Sequence, residues 1–206
     1  MRALRTLVMT LVLSGLSLPA FAVDWAAVDL ENTLVMELKT GRVIIEMRPD
    51  KAPNHVARIK ELVRKNYYDG LKFHRVIPDF MAQTGDPKGD GTGGSGQFIK
   101  AEFNSLRHLR GTVSMAREGG NEDSADSQFF IMLTANRSLD RQYTVWGRVI
   151  EGMENVDQIR QGTKENDGKV DFPDTILSLR VAADMTPDQR GPSTPTLPAP
   201  APGAPE

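Results

Sequence analysis

Phe73-His74-Arg75-Val76-Ile77-Pro78-Asp79-Phe80-Met81-Ala82-Gln83-Thr84-Gly85-Asp86 is the stretch on which the reading of this chain turns. Successive residues of a strand face opposite sides. Phe73, Arg75 and Ile77 are therefore expected on one face, with His74 and Val76 on the other. An arginine then shares a face with two large apolar residues. Pro78 and Asp79 break the strand, and Phe80, Met81 and Gln83 follow the turn. Pattern alone leaves two readings open. One is an edge strand with a snorkelling arginine; the other is a cation set beside an apolar surface.

Upstream, Leu34-Val35-Met36-Glu37-Leu38 and Arg42-Val43-Ile44-Ile45-Glu46-Met47 flank Thr40-Gly41, a hairpin pattern. Pro53 suits the first position of a helix. Val56, Ile59, Leu62 and Val63 recur at helical spacing, opposite Arg58, Lys60, Glu61, Arg64 and Lys65. A helix from Pro53 to near Asn66 follows. Downstream, strand signals run over 73–77, 80–83, 112–116, 128–133, 143–149 and 175–182. A second helix is expected after Gly152, with Met153, Val156 and Ile159 inward and Gly162 as its stop. Many short strands with only two helices predict a mainly β fold, a closed or nearly closed antiparallel barrel plugged by the helices. The Gly-rich loops 87–97 and 117–127 are long enough to be functional.

The two ends differ from this body. Arg2 and Arg5 precede an apolar run from Leu7 to Leu18, and Ala20-Phe21-Ala22 is an A-x-A pattern. Residues 1–22 therefore read as a signal peptide, with maturation at Val23 and export to the periplasm. An uncleaved anchor is the alternative, but Gly15 and Pro19 leave the strongly apolar part short for a span. Residues 185–206 hold about half of the 13 prolines. They have little to bury, so a disordered, polyproline-II-like tail is expected, either functionless, a spacer or a docking motif. Residues 23–184 form the domain between them.

Composition narrows the function classes. The 206 residues carry a formal net charge of −2 and no long basic cluster, so no nucleic-acid partner is expected. No cysteine is present. That removes disulfides, thiolate zinc sites, a cysteine nucleophile and a lipoprotein anchor. His55, His74 and His108 lack metal-ligand spacing, so no metal is expected. Gly89-x-Gly91-x-x-Gly94 spells a dinucleotide fingerprint but opens no helix, so no cofactor is expected. Ser114, His74 and Asp86 make a hydrolase triad only on paper, since no nucleophile elbow surrounds the serine. Asn136-Arg137-Ser138 is a sequon by chance.

The motif Phe-His-Arg-Val-Ile-Pro-x-Phe-Met-x-Gln-x-Gly-Asp is followed by Gly91-Thr92-Gly93-Gly94 and Ser114-Met115-Ala116. Next come Ser127-Gln128-Phe129-Phe130-Ile131, Leu139-Asp140 and Val145-Trp146-Gly147. In order and spacing these blocks resemble the cyclophilin family of peptidyl-prolyl cis-trans isomerases, over roughly residues 33–182. The resemblance implies a closed eight-stranded antiparallel barrel capped by two helices, which agrees with the strand and helix count above.

It also implies roles. Arg75 matches the catalytic arginine, and Gln83 the residue holding its guanidinium. Phe80, Met81, Phe130 and Leu139 match the pocket for the proline ring. Gln128 lines the groove, and His74 is counted with it. Ala116 and the backbone of Arg117 match the edge that pairs with substrate backbone. Tyr143 stands where many members have histidine. Trp146 stands where phenylalanine is usual, and reads as core. Ser138 stands where drug-sensitive members carry tryptophan, so weak cyclosporin binding is expected. The implied enzyme needs no cofactor. It is expected to act as a monomer on proline-containing unfolded or flexible polypeptides, without stable membrane insertion once the signal is removed. A cyclophilin-fold binding or chaperone module with little catalysis is the second reading; the presence of Arg75, Phe80, Gln83 and Phe130 argues against it.

Overall fold

The computed structural model describes residues 23–192; the expected signal peptide and residues 193–206 lie outside them. Strands β1 (Thr33–Leu38) and β2 (Gly41–Met47) form the expected hairpin, with Leu38 opposite Gly41. Helix α1 (Pro53–Arg64) follows, with Pro53 in its first turn. Then come β3 (Arg75–Ile77), β4 (Met81–Thr84), β5 (Thr112–Met115), β6 (Phe129–Met132) and β7 (Val145–Glu151). Helix α2 (Met153–Asp157), β8 (Ile176–Val181) and a one-turn α3 (Pro187–Arg190) complete the described chain.

All eight strands belong to one antiparallel sheet, in the order β3-β4-β6-β5-β7-β2-β1-β8. The sheet curls, but its ends are not joined by a ladder, so the expected closed barrel needs correcting. β3 has only three residues and faces a turn rather than a strand. Isolated bridges pair Lys72 with Thr175 and Arg75 with Lys169. Backbone bonds from Phe73 N to Asp174 O (2.9 Å) and Val76 N to Gly168 O (2.7 Å) stitch the seam.

Inside the curl lies an apolar core. Leu34, Met36, Val43, Ile45, Val113, Phe129 and Ile131 point inward from alternate strand positions, all at most 1 % exposed. Trp146 joins them as expected, edge-on to Phe129 at 5.5 Å. Helix α1 inserts Val56, Ile59, Leu62 and Val63 into one end. Truncating Ile59 to Ala costs about 2–5 kcal/mol. The helix has no side-chain cap at Ala52. Glu102, from a distant loop, takes that role by accepting Asn54 N (3.1 Å) and His55 N (3.0 Å). Unpaired N–H groups at a helix start favour such a carboxylate.

Three details depart from the sequence reading. Phe73 lies before β3 and turns into the core with Val76, so strict alternation holds only for Arg75–Ile77. Helix α2 stops at Asp157, well short of Gly162. The absence of a side chain at Gly162 serves close approach: a Cβ there would strike the Gly168 and Lys169 backbone. The chain is also structured past Met185. Met185 packs beside Val35 and Ile44, and α3 carries a capping box between Thr186 and Gln189. Arg42 holds the carbonyls of Gln189 and Arg190. The expected tail start at Met185 thus gives way to packed, hydrogen-bonded chain through Arg190, and the expected two helices become three. Among the described residues no helix is long and apolar enough to cross a membrane.

Candidate active site

The register of four strands builds the site. Arg75 on β3 lies opposite Gln83 on β4, Gln83 opposite Phe130 on β6, and Phe130 opposite Ser114 on β5. These residues form one row across the sheet. In a second row Ile77 lies opposite Met81, and Met81 opposite Met132. Phe130, Met81 and Met132 make a small cluster separate from the core, and Ile77, Phe80, Ala116, Leu139 and Tyr143 pack around it. Above it opens a cleft of about 440 Å³.

Of the residues singled out in the sequence, His74, Arg75, Phe80, Met81, Gln83, Ala116, Arg117, Phe130, Leu139 and Tyr143 all line this cleft. Gln128 lines the adjoining groove, next to Gln83, Ala116 and Arg117. The first stretch therefore delivers the cation and much of the apolar wall together. It does so because Pro78–Phe80 reverse the chain, with Asp79 in the left-handed region at φ +59°.

A polar relay runs beside the apolar floor. Arg75 Nη1 donates to Gln83 Oε1 at 3.1 Å. Gln83 Nε2 donates to Gln128 Oε1 at 2.9 Å. Gln128 Nε2 donates to the carbonyls of Gly91 (3.0 Å) and Gly93 (2.8 Å). The network assigns the orientation of both amides. Asp86 anchors the far end by accepting the N–H groups of Lys88, Asp90 and Gly91. Burial works to raise the Asp86 pKa, but these backbone donors outweigh it and hold the carboxyl below the ordinary range. Gly93 has no side chain to spare room for, since a Cβ would collide with Asp86 Oδ1. Burial pushes the His74 imidazole below its ordinary value, against the pull of Asp86, so it is neutral near pH 7.

Arg117 reaches the site differently from expectation. Its guanidinium lies over the Tyr143 ring, 4.8 Å from the centroid, and Nε donates to Gln142 O at 3.2 Å. Its side chain is therefore part of the cleft wall. The Ala116 N–H is bonded to Gln128 O at 2.9 Å, so it is not free for a substrate.

Several cleft residues went unread in the sequence. Asp90, Asn166, Asp167 and Lys169 also line it, beside Gly91 of the Gly91–Gly94 block. Asp167 forms an ion pair with Arg75, Nη2 to Oδ1 at 2.7 Å. The local signal Asn166-Asp167-Gly168 announced only a turn. Ser114 does meet a histidine and an aspartate, but not the pair drawn from sequence. Its Oγ lies 2.9 Å from His108 Nε2, and His108 Nδ1 lies 3.2 Å from Asp140 Oδ1. Ser114 is fully buried behind Phe130, which rules out a nucleophile's access to substrate. His108 instead stacks against Phe130, with ring centroids 6.1 Å apart. Leu139-Asp140 thus has two faces: the leucine walls the cleft while the aspartate holds the support behind it. Ser138 lies next to the cleft wall and bonds its hydroxyl to Asn136 Oδ1 at 2.7 Å.

A permanent cation beside an open apolar cleft, with polar edges for a peptide, is the geometry implied by the first stretch. The family model for "Cyclophilin type peptidyl-prolyl cis-trans isomerase/CLD" matches residues 33–181. The chain belongs to the cyclophilin family. A probable peptidyl-prolyl cis-trans isomerase of Brucella suis is 47 % identical over 195 residues, covering 85 % of this chain and 99 % of that protein. Peptidyl-prolyl cis-trans isomerase B of Bacillus subtilis is 41 % identical over 124 residues, covering 59 % and 85 %. A crystal structure of a cyclophilin from Hirschia baltica superposes with a TM-score of 0.69 at 30 % identity, covering 78 % of this chain and 77 % of that one. One from Cryptosporidium parvum, determined in the presence of the dipeptide Ala-Pro, gives 0.67 at 25 % identity, covering 72 % and 98 %. This cyclophilin is a peptidyl-prolyl cis-trans isomerase by family, and its fold is theirs.

Among the described residues no cluster of three or more His, Cys, Asp or Glu side chains could hold a metal. The reaction calls for none, since no bond is broken.

Proposed function

We propose that this cyclophilin is an exported foldase that rotates X-Pro bonds in unfolded or flexible polypeptides, with Arg75 as its catalytic residue. The observation that carries the reading is the Arg75 guanidinium, held by Gln83 beside the open cleft of Phe80, Met81, Phe130 and Leu139. The Ala-Pro dipeptide used with the Cryptosporidium relative fits a proline-containing substrate. The signal-like start and the lack of cysteine support a periplasmic location, where an enzyme without ATP can work as a monomer.

The chemistry follows from the amide. Rotation crosses a barrier of about 18–20 kcal/mol set by resonance. Unaided, it takes tens to hundreds of seconds. Turnover in milliseconds requires lowering it by about 6 kcal/mol. In the twisted state the proline nitrogen becomes pyramidal and regains a lone pair. A guanidinium has donors only and stays charged, so it can donate a hydrogen bond to that nitrogen, which carries no proton of its own. Such a bond contributes about 1.5–3 kcal/mol. The twisted amide is also less dipolar than the planar one, so the apolar wall penalises the ground state more. Clamping the ring while the preceding carbonyl swings supplies the rest.

Two measurements on the same protein test this reading. An isomerase speeds both the exchange of an Ala-Pro peptide and the refolding of a protein limited by proline isomerisation. A pure binding module slows aggregation of that protein and leaves both rates unchanged, and that result would end the isomerase reading.

A further inference from the structure

We propose that Asp167 is a positioning residue that aims the Arg75 guanidinium into the cleft. The inference rests on Arg75 being the catalytic cation. A guanidinium has five N–H donors in one plane. Arg75 Nε donates to the Asp167 carbonyl (3.0 Å) and to Oδ2 (3.1 Å), and Nη2 donates to Oδ1 (2.7 Å). Nη1 donates to Gln83 Oε1. One edge of the fork is thus held by Asp167 and a third nitrogen by Gln83. One N–H on each terminal nitrogen is left over for a substrate.

The turn that presents Asp167 is fixed to the strand that presents Arg75. Gly168 N donates to Thr163 O at 2.8 Å, closing the turn. Val76 N donates to Gly168 O, Gly162 N to Val76 O and Val170 N to His74 O, on both sides of Arg75. Asp167 itself sits in the left-handed region at φ +56°, which few side chains tolerate as well as Asp and Asn. Behind it, a Cβ on Gly168 would meet the Val76 backbone at 2.9 Å. The carboxylate therefore has a set place relative to the arginine.

Arg75 needs such a hold. Its side chain is 31 % exposed, and a free arginine at that depth spreads over many rotamers toward water. A hydrogen bond to a single nitrogen lone pair weakens steeply when misaligned. The carboxylate is 76 % exposed, so water screens its charge and little of the guanidinium's field is cancelled. Its main effect is on direction. Asp167 acts through Arg75 and is not itself a catalytic residue.

The test uses the full chain and a proline peptide, with Asp167→Gly, Asp167→Asn and Arg75→Ala. Asp167→Gly removes the carboxylate and relieves the left-handed backbone, so the fold is spared; Asp167→Asn keeps the shape without the charge. The expected result is a fall in kcat of about threefold for Asp167→Gly, with KM unchanged and Asp167→Asn in between. The Arg75 Nε–H resonance, sharp in the wild type, broadens in Asp167→Gly. A structural role alone would not change that signal while leaving KM fixed. If Asp167→Gly keeps both kcat and the sharp resonance while Arg75→Ala loses about 10- to 100-fold in turnover, the inference is wrong and the catalytic reading stands. If Arg75→Ala keeps full activity, the reading of Arg75 fails and the inference goes with it.

Discussion

Two apolar patches lie on the outside of this sheet, and they meet opposite fates. On β1 and β2, Val35 and Ile44 lie with Ala182 under Val23, Trp25, Leu30, Ile150 and Met185. The chain's described ends supply most of that cover. Arg64 pins both to α1 through Glu31 and Asp184, and Lys60 adds a contact to Glu31. On β4 and β6, Met81, Phe130 and Met132 are buried as deeply, but the residues packed around them leave a cleft that Met81 and Phe130 line. Arg75 and Gln83 stand at the edge of the second patch. One fold therefore offers the same kind of surface twice. It becomes a site where the surrounding side chains leave a cleft and a cation borders it.

The comparison breaks first at the cation. Arg75→Ala is expected to lower peptide turnover by about 10- to 100-fold, the worth of one charged hydrogen bond. Thermal unfolding checks that the fold is kept. The sealed patch should respond in the opposite way. Ending the chain at Asp184 uncovers Val35 and Ile44 and is expected to cost about 1–3 kcal/mol in urea unfolding. Turnover per folded molecule should not change. A large loss of turnover in that truncation would mean that the two patches are coupled.

Much of this architecture is legible in the residues. The spacing of Val56, Ile59 and Leu62 marks α1, and Thr40-Gly41 marks the first hairpin. The stretch 73–86 marks the cation and its apolar neighbours. What stays hidden is pairing over long separations. Asp167 lies 92 residues from Arg75, and Glu102 caps a helix 48 residues away from it. No local period reports such contacts. The seam is hidden for the same reason, because β3 is too short to impose a pattern and its partner is a turn. Periodicity also fails at Phe73, which precedes the strand whose alternation it was assigned.

A smaller effect sharpens the role of the cleft walls. Leu139→Ala trims one wall without entering the core and is expected to raise KM by about tenfold, the transfer cost of a partly buried leucine. Stability against pH gives the smallest effect. Burial lowers the pKa of His55, His74 and His108, against Glu102 for the first and Asp140 for the last. In the unfolded chain each takes up a proton near its ordinary value of about 6.5. The unfolded state then binds more protons than the folded one below that pH. Stability therefore falls as pH drops through about 6.5 and keeps falling until the folded imidazoles titrate. The urea midpoint should be lower at pH 5 than at pH 7.5, and His108→Gln should flatten part of that slope.

The central claim is that a guanidinium beside an apolar cleft lowers the energy of a half-rotated imide. Exchange NMR on a short Ala-Pro peptide, at equal concentrations of wild type and Arg75→Ala, tests it most directly. The account predicts rapid cis-trans exchange with wild type and exchange slower by about 10- to 100-fold with the variant, although the peptide still binds. Exchange as fast with Arg75→Ala as with wild type would contradict it.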